Sequence, residues 1–141
     1  MIGTEDDDVI LNSENRTIAK GKGGSDLHIL VRKDIDTKRN RSKILGFNSK
    51  DDGDMLLIDI KTFGRNVGYE RALTNLQKRK FQKSEADFVY LVPKQVGGEP
   101  TKLGKLFDNA NGSESGWGAE GGLSLILGKD NSLPLDALAM I

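Results

Sequence analysis

The feature that most constrains this chain is an eighteen-residue register. The nonapeptide Gly3-Thr4-Glu5-Asp6-Asp7-Asp8-Val9-Ile10-Leu11 has Gly first, Asp sixth and an aliphatic residue eighth. Two nonapeptides further on, Gly21-Lys22-Gly23-Gly24-Ser25-Asp26-Leu27-His28-Ile29 again has Gly first and Asp sixth. Asp8 and Asp26 therefore coincide at twice the period, while the unit between them, 12–20, is degenerate and carries Thr17 at the acidic position. Such a unit is a turn followed by a short strand. Two units complete one coil, so equivalent turns stack eighteen residues apart.

The turn half of each unit supplies oxygen donors, from backbone carbonyls and the Asp carboxylate. The glycines permit the positive φ and close stacking that such turns need. A hard cation such as Ca²⁺, which takes six to eight oxygens, fits between stacked turns of this kind. Gly3, Asp6, Asp8, Gly21, Gly24 and Asp26 are the candidate ligand-turn residues, enough for one or two calcium sites.

Composition narrows the chemistry. The 141 residues contain no cysteine, which removes disulfides, thiolate zinc sites and thiol catalysis. The single histidine, His28, cannot build a multi-histidine site and is assigned no role. No HExxH or GxSxG occurs, so the chain is expected not to be an enzyme. Lys+Arg and Asp+Glu are equal at 21, giving no overall basic character and no case for nucleic acid. The charge is uneven, however: 61–105 holds ten Lys/Arg against four acids, a candidate contact for anionic polysaccharide or a cell surface. No apolar run reaches the length of a membrane-spanning helix, and the acidic start is unlike a cleaved secretory signal.

Along the chain, strand-like runs occur at Val9–Leu11, Ile29–Val31, Ile44–Phe47, Met55–Ile60, Phe88–Val92, Leu106-Phe107 and Leu123–Leu127. Lys50-Asp51-Asp52-Gly53-Asp54 reads as a turn joining neighbouring strands. A helix is expected near 69–83, with Ala72, Leu73, Leu76 and Phe81 as its apolar stripe and Lys78, Arg79, Lys80 and Lys83 near its end. Asp108-Asn109-Ala110-Asn111-Gly112 fails the EF-hand spacing, since its third position is Ala110, and reads as a hairpin turn. Gly21-Lys22-Gly23-Gly24 lacks the ending of a P-loop. Trp117 reads equally as an exposed recognition aromatic or as a residue capping the core.

The two Gly/Asp units resemble the GGxGxDxUx repeat of the repeats-in-toxin (RTX) calcium-binding proteins. The later segments are similar to that family's C-terminal module in the same order. They are Ser42–Phe47 with Asp54-x-x-Leu57-Ile58-Asp59, then Leu106–Ser113 preceded by Asp87–Tyr90, then the ending Leu135–Ile141. Departures are Lys22 for a glycine, His28 at a normally aliphatic or aromatic position, Asp6 for a glycine, and many more bases than is usual in the family. The resemblance implies a mostly β chain: a short parallel β-roll remnant (1–32) packed on a C-terminal β-sandwich-like subdomain (33–141) with one helix and a terminal secretion-signal-like segment. It also implies calcium binding, type I secretion with its machinery as a partner, and an extracellular or cell-surface location. The alternatives are an adhesion module that uses the basic 61–105 face with its calcium sites lost, or the detached tail of a secreted hydrolase.

Overall fold

The computed structural model describes residues 2–12, 18–30, 42–49, 51–59, 68–97, 99–100, 104–109, 114, 117, 122–128, 133 and 137–140. The strands are β1 (Val9–Asn12), β2 (Ile18–Lys20), β3 (Leu27–Leu30), β4 (Ser42–Leu45), β5 (Met55–Ile58), β6 (Tyr69–Ala72), β7 (Phe88–Leu91), β8 (Gln95–Val96), β9 (Glu99–Pro100), β10 (Gly104–Asp108), β11 (Gly122–Leu127) and β12 (Leu138–Met140), with helix α1 (Asn75–Gln82) between β6 and β7. Among the described residues the protein is mostly β with one helix, as expected.

The first five strands alternate between two sheets. β1, β3, β5 and β12 form a four-stranded parallel sheet in that order, and β2-β4-β11-β10-β7-β6 form a six-stranded mixed sheet. The chain thus coils, crossing from one sheet to the other at every turn. Val9 pairs with Leu27 and Leu27 with Met55, so the eighteen-residue register is a real ladder with a third rung at β5. Asp51–Asp54 is correspondingly a corner between sheets and not a hairpin, because β4 and β5 lie in different sheets. The C-terminal strands extend the same two sheets: β11 pairs with β4 and β12 with β5. Both sheets therefore run across the boundary expected at 32–33.

Strand alternation builds the core. Ile10, Leu30, Leu56 and Ile58 point inward from the four-stranded sheet and meet Ala19, Ile44, Leu106, Leu125, Leu127, Phe88 and Tyr90 from the other. Each large aliphatic side chain buried here contributes about 1.5–3 kcal/mol by leaving water. On the outer side of the four-stranded sheet Val9 and Leu11 are exposed, and Leu27, Ile29, Met55 and Leu57 are partly so.

On the opposite face of the six-stranded sheet Ala72 and Val89 pack with Ala86 and with Phe81 of α1, and Phe107, Leu123 and Ile126 pack with Trp117. Trp117 stacks on Phe107 with centroids 4.9 Å apart, and Lys78 Nζ lies 5.1 Å from the same ring. That answers the question left open for Trp117: it is half-buried and packs on the sheet.

The helix is shorter than 69–83. Tyr69–Ala72 is a strand parallel to β7, and the helix starts only after Thr74, whose Oγ1 accepts from Gln77 N while Gln77 Oε1 accepts from Leu73 N. This reciprocal cap fixes the start, so Ala72 belongs to the sheet while Leu73 and Leu76 face solvent. Of the expected stripe in α1 only Phe81 packs. Arg79, Lys80 and Lys83 are exposed. Among the described residues no helix is long and apolar enough to cross a membrane. Thr17, Val31, Lys61, Arg65, Lys102, Ala110–Ser113 and Leu135, Asp136 and Ile141 lie outside the described residues.

Candidate metal centre at the coil corners

Each corner begins where a strand of the four-stranded sheet is about to start. Asp8 precedes β1, Asp26 precedes β3, and Asp54 precedes β5. At such a corner the backbone turns and its N–H groups leave the sheet ladder, so they need acceptors. The acids supply them along the stack. Asp8 N donates to Asp26 Oδ1 (3.0 Å), and Asp26 N donates to Asp54 Oδ1 (2.9 Å). Asn48 N donates to the second Asp54 oxygen (2.8 Å), so the last rung closes on its own turn.

The Asp8 N–Asp26 hydrogen bond joins the first two expected turns, but the Asp8 and Asp26 carboxylates serve Thr4 and Asp8 N, and among the described residues Asp6, Asp8 and Asp26 do not form a cluster of metal-ligating groups. Asp8 carries Thr4, whose N donates to Oδ2 (2.6 Å) and whose Oγ1 reaches the same carboxylate. Gly3 and Gly21 leave room for those folded-back carboxylates: a Cβ on Gly3 would lie 2.6 Å from Asp8 Oδ2, and one on Gly21 would run into Asp26 Oδ2. Gly24 has φ +82° and lies directly over the Asp6 carbonyl, which brings the first and second turns into backbone contact. Asp7 Oδ1 accepts from Ser25 N (2.7 Å), and Ser25 Oγ donates to the Gly53 carbonyl (3.1 Å), linking second and third turns. The Asp6 side chain is exposed at the outer rim.

Two residues that sequence reasoning passed over complete the inner side. Asp54 is the third rung, offset from Asp26 by twenty-eight residues instead of eighteen, and the extra ten residues hid it from a fixed-period search. The visible signal was the parallel between Gly24-Ser25-Asp26-Leu27 and Asp52-Gly53-Asp54-Met55. His28 is the other. The pleat of β3 sends it inward beside Leu30, against the Phe47 ring at 5.8 Å, with no side-chain exposure. Among the described residues neither imidazole nitrogen has a hydrogen-bond partner. An orphaned buried polar group of this kind costs about 1–3 kcal/mol.

Asp26, His28 and Asp54 are all buried, and one donor atom from each lies within 4.8 Å of the others. The cluster could hold a metal ion. Burial lowers the pKa of His28 from 6.5, with nearby Asp26 opposing, so the imidazole is held neutral. Burial pushes the Asp54 carboxyl above 3.8, resisted by the two N–H groups it accepts and reinforced by Asp26 and Asp52. A neutral imidazole beside closely spaced carboxylates is a donor set ready for a cation.

Asn109 has a structural duty instead of a ligand's. Its Nδ2 donates to the carbonyls of Ser84 (3.2 Å) and Ala86 (2.9 Å), tying the end of β10 to the segment before β7. Compared with known proteins, the chain matches no family model, no curated sequence and no solved structure.

Proposed function

We propose that the protein is a non-enzymatic, RTX-like extracellular domain that binds calcium on its stacked turns and leaves the cell by type I secretion. The observation that carries this reading is the ladder of turns at Asp8, Asp26 and Asp54, which gives the eighteen-residue register a physical form. The exposed Asp6 and Asp7 carboxylates of the first turn offer oxygen donors, which suit a hard cation. Calcium is scarce inside cells and abundant outside, so binding after export would add its free energy to folding.

The test is a Ca²⁺ titration of chelator-treated protein, followed by thermal midpoint and by Trp117 fluorescence, with Mg²⁺ as control. The expected result is a saturable, calcium-selective rise in the midpoint, shifted at least tenfold to higher calcium in Asp6→Asn. That side chain is exposed, so the substitution separates binding from folding. A flat response from a folded protein would overturn the calcium reading. In that event the exposed cations Arg79, Lys80 and Lys83 support the adhesion alternative, which predicts salt-sensitive retention on an anionic polysaccharide.

A further inference from the structure

His28 is the group the calcium reading leaves unused. It occupies the inward strand position that an aliphatic residue would fill without any unsatisfied polar atom, yet it presents two nitrogens to the interior with no partner for either among the described residues. The surroundings are not merely apolar. A Cβ on Gly21 would meet Asp26 Oδ2 and lie 3.7 Å from His28 Nε2, so the carboxylate and this nitrogen converge on the same space beside the glycine. Asp54 closes the cluster from the next coil, all three donor atoms lying within 4.8 Å of one another.

The electrostatics point to a cation. Two buried carboxylates, Asp26 and Asp54, stand with the imidazole of His28 within 4.8 Å of one another. Carboxylates gathered out of water are stabilised when a positive charge joins them. The carboxylates are also held in place before any ligand arrives: Asp54 by the N–H groups of Asp26 and Asn48, and Asp26 by the N–H of Asp8. Hydrogen bonds of this kind orient metal-ligating carboxylates and leave lone pairs for the ion.

We propose that Asp26, His28 and Asp54 bind one borderline divalent cation of the Zn²⁺/Co²⁺ class on the inner side of the coil corner. One imidazole and two carboxylates suit such ions, whereas calcium prefers oxygen throughout. Ligands about 2.0–2.2 Å from a tetrahedral centre stand about 3.4 Å apart, so the cluster needs to contract by about 1 Å or a little more. This site goes beyond the calcium reading: it uses the side chains of the ladder residues Asp26 and Asp54 with His28 instead of the exposed Asp6 and Asp7 carboxylates, and stands without it.

The test uses the full chain after chelator treatment. Because His28 is the only histidine, its imidazole ¹⁵N resonances identify themselves in the spectrum. Adding Zn²⁺ is expected to shift one ring nitrogen in a saturable 1:1 titration and to raise the thermal midpoint by about 8 °C at a hundredfold excess over Kd. Co²⁺ is expected to give the visible absorption of a four-coordinate site. His28→Leu should remain folded by circular dichroism, lose the Zn²⁺ and Co²⁺ responses, and keep the parent's Ca²⁺ response. Asp54→Asn should weaken Zn²⁺ binding at least tenfold. Unchanged imidazole resonances at saturating Zn²⁺, or an equal Zn²⁺ stabilisation of His28→Leu, would overturn the proposal. The first of these needs no variant, so a failure of His28→Leu to fold does not protect it. A Zn²⁺ response without a Ca²⁺ response overturns only the calcium reading, and the reverse overturns only this one.

Discussion

Replacing Asp54 by alanine in metal-free protein removes the acceptor that closes two successive corners. Its carboxylate takes the N–H of Asp26 at 2.9 Å and of Asn48 at 2.8 Å, and its side chain is almost wholly buried. A hydrogen bond to a charged group is worth about 1.5–3 kcal/mol, so losing both removes about 3–6 kcal/mol and leaves two N–H groups unsatisfied. Against this, the wild-type protein keeps a carboxylate out of water beside Asp26 and Asp52, a burden that alanine relieves. The net loss is expected to be about 2–3 kcal/mol. In urea unfolding with chelator present, the midpoint should fall with an unchanged slope, the sign of lost stability without a change in compactness. Asp54→Asn, which keeps one acceptor oxygen, should lose about half as much. Hydrogen exchange at the Asp26 and Asn48 amides should accelerate more than in β7 or β10. If Asp54→Ala matches the parent within about 0.5 kcal/mol, the carboxylate ladder is not what secures the corners, and the argument fails.

The pH dependence of the metal-free protein follows from His28. Its pKa is lowered in the folded state, facing Asp26, Asp54 and the Phe47 ring, so the unfolded chain binds the proton more readily. Stability present above about pH 6.5 is therefore lost as pH falls through that value toward the lowered pKa. Asp54, raised above 3.8, acts in the opposite sense at lower pH, its contribution fading as pH rises through its folded-state value. Thermal midpoints measured between pH 7.5 and 5.5 should drop in the parent and stay flatter in His28→Leu; equal slopes would refute the assignment. Gly24→Ala should cost more than about 2 kcal/mol, because φ is +82° and the new Cβ would lie 2.6 Å from the Asp6 carbonyl oxygen; a neutral result in urea unfolding would mean that the stacked turns have slack. Removing residues 136–141 deletes β12, exposing the β5 edge and the core beneath Leu138, and should lower the thermal midpoint as well as block export; a truncated protein that is secreted normally would contradict the type I route.

Local chemistry made part of this molecule legible from the sequence. The register of Asp8 and Asp26 and the strand-like runs around Ile29 and Met55–Ile58 are written in adjacent residues, because turns and strands draw on chemistry over a few positions. Three things were not. Tyr69–Ala72 pairs with β7 as a strand, since an available edge overrides local helix preference. β12 is only three residues long and exists because β5 offers a parallel partner across a long stretch of chain. The joining of Asp54 to Asp26 and His28 depends on where the third coil returns after an insertion of unpredictable length. The sequence by itself determined the repeating corner and its acids. Tertiary structure alone decided which acid faces which, and that an inward-facing histidine would stand among them, because side chains from separate coils converge only when the sheets close around one core.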